Sequence, residues 1–303
     1  MTNVQKSEIV TAINREITAL GSGNKVSVKC DVSNATISNM INGNWNLIKP
    51  EMWMKVAGRL NVVFSGWQIA ETTNFKTIWT VLNDAKEQSL FIPISEKAGA
   101  GKSAAIEVFV KTMPGVYRIK ANEWAKREFL TELTTSLGIE IPRGAVSVYK
   151  LGAKIINFFN ERAFEKPLLI IDEADKLKAP ALRYLIPFFN ELEDKVGLVI
   201  CGTENLKKEI KNGVRLNSKG YDEIDSRFGR NYVTLIGSTA KDIEMICQAN
   251  GIHDKTKAQK IFKECNPLPV TIGQEGQKQI LQVVQDMRRV KRVIKRELIT
   301  QKA

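Results

Sequence analysis

The chain has 303 residues, 43% of them hydrophobic, and carries a net charge of +12 with a pI near 9.5. That length accommodates two domains and a sizeable core, while the absence of any run of about 18 apolar residues argues against a membrane span, and the charged start MTNVQKSEIVTAINREI argues against a secretion signal. The basic surplus favours a polyanionic partner, nucleic acid first; Lys278 to Ala303 alone holds eight Lys or Arg against two acids, for which a solvated helix face is the plain alternative.

Residues 1–65 read as a small helical unit. SEIVTAINREITAL places Ile9, Val10, Ile13, Ile17 and Leu20 at helical spacing, GSG breaks the pattern, and PEMWMKVAGRLNVV starts another helix. Between them lies NKVSVKCDVSNATISNMINGNW. Ser33 is placed to cap a helix there, Val32, Ile37 and Met40 to face a core, and Asn34, Ala35, Thr36 and Asn39 to face outward. Residues 66–89 form a connector and an amphipathic helix with Ile78, Val81, Leu82 and Ala85 on one face.

From Leu90 the pattern alternates. Strands are predicted at 90–95, 115–120, 167–172, 197–202 and 231–236, and helices at 102–113, 123–137, 146–163, 179–193 and 204–212. Alternation of this kind means a parallel sheet covered by helices, an α/β core over 90–237. After residue 238 the signals are helical only, ending in a long basic helix from about Gln274, so 238–303 is predicted to be a basic helical cap. Cys30, Cys201, Cys247 and Cys265 form no CxxC pair and read as reduced, buried thiols of a cytosolic protein. The single histidine, His253, has no ligand-spaced partner, which argues against histidine chemistry or a histidine metal site.

FIPISEKAGAGKSAAIEVF carries the chemistry. A strand, a glycine turn and a helix start would turn backbone N–H groups of Ala98, Gly99, Ala100, Gly101 and Lys102 onto phosphates. Lys102 would reach the terminal phosphates, and the Ser103 hydroxyl would hold Mg²⁺. The loop departs from the phosphate-binding pattern at its first position, where Glu96 replaces glycine; a carboxylate aimed inward would repel an anion, so Glu96 is expected to face outward or to bond within the loop. PLLIIDEAD is an apolar strand that suits burial on both faces and ends in Asp172-Glu173, a Walker B element: Asp172 would bear on Mg²⁺ and Glu173 would polarise the attacking water. GLVICGTENL ends a core strand at Thr203, with Asn205 as the alternate, near where a γ-phosphate would lie. EIDSRFGRNYVTLI places Arg227 and Arg230 before the last strand.

Together these segments resemble an AAA+ ATPase, with ATP and Mg²⁺ as cofactors. The resemblance implies that Arg227, or Arg230 as backup, reaches into a neighbouring subunit's site as an arginine finger. It also implies a sensor arginine in the cap, for which Arg288 in Gln285-Asp286-Met287-Arg288 is the candidate; the family's Gly and Asn are absent there, and Arg288 and Arg289 could equally face solvent or DNA. The segment around Val32–Ser38 resembles the helix-turn-helix of phage repressors, with Asp31 at the usual turn glycine and Asn34, Thr36 and Asn39 toward a DNA groove; such units also dock proteins. The order of parts is similar to the phage Mu transposition protein B family and, more distantly, to the TniB, TnsC and IstB transposition regulators. That resemblance implies an ATP-dependent oligomer or filament on double-stranded DNA with little sequence preference, which marks target DNA and stimulates a partner transposase in the bacterial cytoplasm. Phosphate neutralisation by the basic surplus suits such binding. Lys120, Lys126 and Arg127, after the second strand, would face DNA, or else be ordinary surface charges. Two other readings stay open: a helicase-loader type ATPase, and a DNA-binding regulator with a structural nucleotide site.

Overall fold

The computed structural model describes residues 1–60, 62, 66–142, 144, 146–273 and 278–300. They fall into two compact groups, one drawn from residues 1–72, 240–266 and 289–300, the other from residues 73–239 and 267–288.

The first group opens with α1 (Asn3–Leu20), α2 (Gly23–Cys30), α3 (Asn34–Ile41) and α4 (Pro50–Arg59). Ile9, Ile13, Val26, Cys30, Ile37, Met40, Trp53 and Val56 form their core. The turn between α2 and α3 is local chemistry. Asp31 takes the left-handed conformation at φ 55°, and the Ser33 hydroxyl accepts the Thr36 N–H at 3.1 Å to start α3. Val32 packs half-buried against the same core.

The second group alternates as predicted: α5 (Thr73–Glu87), β1 (Phe91–Ser95), α6 (Lys102–Thr112), β2 (Val116–Lys120), α7 (Lys126–Ser136), α8 (Val148–Asn160), β3 (Leu168–Asp172), α9 (Ala179–Leu182), α10 (Leu185–Leu192), β4 (Gly197–Gly202), α11 (Glu204–Arg215) and α12 (Tyr221–Arg227). The four strands are parallel in the order β1-β4-β3-β2. The central strands β3 and β4 are buried along their whole length. Alternate residues split between two layers: Leu168, Ile170 and Val199 pack with Ile78 and Leu82 of α5 and Ile106 and Phe109 of α6, while Leu169, Ile171 and Ile200 pack with Phe129 of α7, Ile155 and Phe159 of α8 and Leu206 of α11. Asp172 has the parity of Ile170, which directs it to the α6 layer.

Three expectations change. The predicted strand 231–236 shrinks to one bridge, Ile94 to Val233. Val233 exchanges bonds with Pro93 O at 3.0 Å and Ser95 N at 3.4 Å, but Pro93 has no N–H to offer Asn231, and the next donor, Leu235 N, is taken by the Glu96 carboxylate. The predicted helix 179–193 is two helices, because Pro187 lacks the N–H that a continuous helix would send back to Arg183. The region after 238 is not all helical. α13 (Ala240–Ala249) and α14 (Lys255–Glu264) are followed by an antiparallel pair, β5 (Leu268–Ile272) and β6 (Gln279–Val283), before α15 (Met287–Thr300). The expected start of the basic helix at Gln274 lies outside the described residues, and the helix proper begins 13 residues later at Met287. The unbroken β-branched run Val270-Thr271-Ile272 suits a strand.

Candidate nucleotide-binding site

β1 ends at Ser95, and residues 96–101 turn into α6. Gly99 and Gly101 sit at φ 87° and 90°, where a side chain is strained, and Gly101 caps α6. Lys102 is 8% exposed; its ammonium donates to Glu96 O at 2.6 Å and Lys97 O at 2.9 Å, so it lies within the curl of the loop. Ala100 is buried, and Ala98 and the first-turn residue Ser103 are exposed.

The loop is tied at three points. Glu96 bonds as expected within the loop, its carboxylate accepting Lys97 N at 2.9 Å, and additionally Leu235 N at 2.9 Å. Buried Asn74 of α5 donates to Ala100 O and accepts Gly237 N, both at 3.2 Å. On the third side Met287 N donates to Gly99 O at 2.9 Å, and Lys97 Nζ donates to Gln285 Oε1 at 2.9 Å.

At the end of β3, Asp172 is 1% exposed. Its Oδ2 takes the Arg118 guanidinium of β2 at 2.6 Å and its Oδ1 the Glu173 N–H at 3.0 Å. Glu173 adopts φ 57° and pairs with Lys120 at 3.2 Å and with Lys176. Burial pushes the Glu173 carboxyl up, but the bonds from Lys176 and Lys120 outweigh it and hold the group below the usual glutamate range. Thr203, at the tip of β4, donates its hydroxyl to Asp175 Oδ2 at 2.7 Å and its N–H to Asp175 Oδ1 at 3.1 Å, and its Oγ1 accepts Asn205 N at 3.3 Å. The buried Cys201 thiol stands opposite Asp172 in the sheet. Burial drives its pKa up, and the charge of Asp172 adds to that rise.

Two left-handed glycines, a buried ammonium inside the loop, a hydroxyl at the helix start and a buried carboxylate at the end of β3, one strand beyond β4, form a set of groups that fits a nucleoside triphosphate with Mg²⁺. Arg227 lies elsewhere in this chain, held by Glu193 Oε2 and Asn190 Oδ1, each at 2.9 Å, and Arg230 pairs with Asp222 at 3.0 Å. Arg288 is exposed; its N–H caps onto Asp286 Oδ1 at 2.9 Å. Sequence reasoning missed Asn74, Arg118, Asp175 and Asp286. Arg118 left a signal, a cation inside the apolar strand VYRIK; Asn74 left none, because its role is created by segments far apart in the chain.

Among the candidate DNA contacts, Lys126 and Arg127 are exposed at the start of α7, with Lys126 Nζ 5.8 Å from the Tyr184 ring centre. Lys120 is exposed but engaged with Glu173. Asn34 is exposed on α3; Thr36 and Asn39 are half-buried, bonded to Ser33 and Asn44.

Residues 87–210 match the AAA domain family. The chain is 29% identical over 197 residues to the Mu-like prophage FluMu DNA transposition protein B of Haemophilus influenzae, an alignment that covers 64% of this chain and 65% of that protein. This chain thus spans about two thirds of the curated relative's length. Similar solved structures include Cdc6p from Pyrobaculum aerophilum (17% identity, 65% of this chain and 56% of that one, TM-score 0.48) and the Aeropyrum pernix ORC1 protein in complex with DNA (12% identity, 78% and 62%, TM-score 0.45). Residues 87–210 thus match the AAA domain family, in a chain similar to the transposition protein B of a Mu-like prophage.

Proposed function

We propose that this protein is an ATPase that binds ATP, assembles on duplex DNA with little sequence preference, marks that DNA as a transposition target and stimulates a partner transposase in the bacterial cytoplasm. The observation that carries the reading is the buried Lys102 ammonium held inside the glycine turn after β1, together with the buried Asp172 carboxylate at the end of β3, in a segment that matches the AAA domain family and a chain similar to a transposition protein B.

In this reading the loop 98–102 binds the phosphates through its N–H groups, Lys102 leaves the loop carbonyls for the terminal phosphates, and Ser103 and Asp172 hold Mg²⁺, which supplies charge neutralisation at the phosphates. Glu173 orients the attacking water. Its low pKa keeps it ionised at neutral pH, but it must first release Lys120 or Lys176 to take a proton from water. Thr203, fixed by Asp175, stands as the polar tip of β4. Arg227 serves the site of a second copy of this chain, where a planar guanidinium suits phosphate charge, and Arg288 is the cap arginine.

The basic surplus supports phosphate-backbone binding, with Lys126, Arg127 and Lys120 as contacts after β2, and Asn34, Thr36 and Asn39 as contacts on a helix-turn-helix formed by α2 and α3. No helix among the described residues is long and apolar enough to cross a membrane.

The test is binding to a labelled duplex of random sequence with ATP, ADP or no nucleotide, alongside sedimentation. ATP-specific binding and large assemblies, both lost in Lys102→Ala, support the reading. Equal binding in all three states, or binding confined to one sequence, favours a DNA-binding regulator; preference for single strands favours a helicase loader.

A further inference from the structure

The cation beside Asp172 has no assigned part in the site. Arg118 reaches from the middle of β2 and binds Asp172 Oδ2 at 2.6 Å, with side chains 21% and 2% exposed. A buried carboxylate is unfavourable unless it is paired, and this pairing comes from the chain itself. The second oxygen, Oδ1, takes the Glu173 N–H, so both oxygens of the metal-bearing acid are oriented by protein donors. The Arg118 Nε is buried without a hydrogen-bond partner. An unfilled buried donor calls for an explanation; here the guanidinium keeps spare capacity for a water or an anionic oxygen while it holds Asp172.

We propose that Arg118 is a positioning residue that offsets the charge of Asp172 and makes nucleotide binding tolerant of divalent-ion removal. The inference rests on the nucleotide-site reading above and adds to it the ionic form of the ligand. The physical reason is charge balance. Without Mg²⁺, an uncompensated Asp172 beside the phosphates would repel them and cancel the attraction of Lys102. With Arg118 in place the acid is already neutralised, and the Lys102 charge is left to act on the phosphates. With Mg²⁺ present the ion itself answers Asp172, and Arg118 matters less.

The experiment measures binding of a fluorescent ATP analogue by anisotropy, in excess Mg²⁺ and in excess EDTA, for the wild type, Arg118→Met, Arg118→Lys and Lys102→Ala. For the wild type the affinity falls by less than roughly tenfold on passing from Mg²⁺ to EDTA. For Arg118→Met the fall widens by a further tenfold to a hundredfold, the scale of one charged hydrogen bond, and Arg118→Lys, which keeps the charge, stays near the wild type. Lys102→Ala weakens binding in both buffers with the wild-type ratio. A role in folding alone would alter melting temperature or both affinities together, not their ratio. If Arg118→Met does not fold, Arg118→Gln, which keeps a donor for Asp172 and drops the charge, takes its place with the same expectation. An unchanged ratio in the uncharged variant overturns the inference and leaves the nucleotide site standing. Absence of binding by the wild type in both buffers overturns the nucleotide site and the inference with it.

Discussion

The Glu96 carboxylate accepts the backbone N–H of Leu235 at 2.9 Å and that of Lys97 at the same distance. A residue that departs from the phosphate-loop pattern therefore fastens the loop to the segment beside β1, and both carboxylate oxygens point at backbone donors. Glu96→Ala strands the buried Leu235 N–H and should lower unfolding free energy by about 1–3 kcal/mol, the usual penalty for an orphaned donor. Glu96→Gln keeps one acceptor and should lose less. Chemical denaturation of the three proteins checks the order; equal stability of wild type and Glu96→Ala would show that the tie is not needed.

Gly99 is required twice over. A Cβ there would stand 2.5 Å from Asp286 Oδ1, and φ is 87°. Gly99→Ala should destabilise by about 1–3 kcal/mol from strain and contact. Pairing it with Asp286→Gly removes the contact and leaves the strain, so the double variant should recover part of the loss. A double-mutant cycle on melting curves measures the coupling, and strict additivity would refute the contact.

Glu173 is held below the ordinary glutamate pKa because its ion pairs outweigh its burial. A carboxyl with a lowered folded pKa adds stability that is fully present above the unfolded value of about 4.3 and is lost as pH falls through the folded value. Glu173→Gln should therefore be less stable than the wild type at neutral pH, with the gap closing in acid below about pH 4. Melting temperatures across pH 3 to 7, an interval set on either side of the glutamate value, follow this directly, and a gap that widens in acid would contradict it. The same variant should retain ATP and prolong DNA-bound assemblies.

Arg227 is anchored to Asn190 of α10 and to Glu193 just after it, away from the loop of its own chain. Arg227→Ala should leave nucleotide affinity within a few-fold and lower assembly-stimulated hydrolysis by on the order of 10³, the scale of a lost arginine finger. Steady-state ATPase assays over a range of protein concentration separate the two. Loss of binding without loss of stimulation would place Arg227 in its own chain's site instead.

Much of this protein was legible in one dimension. Strand–helix alternation from Leu90, the glycines and lysine of the loop, and Asp172-Glu173 at the end of an apolar strand depend on neighbours in sequence, so periodicity and spacing carried them. So did the Asp31 turn and the Ser33 cap. What tertiary structure decided involves partners far apart in the chain: Arg118 on Asp172 across 54 residues, Asn74 on Gly237 across 163, and Glu96 on Leu235 across 139. The lost edge strand belongs to the same class. Residues 231–236 have a strand's composition, but a strand exists only where a partner offers its hydrogen bonds, and here Pro93 and Glu96 close off both ends of the ladder. Local spacing determines which groups are available; the packed fold decides which of them meet, because a hydrogen bond or ion pair forms only where the backbone brings both ends within about 3 Å.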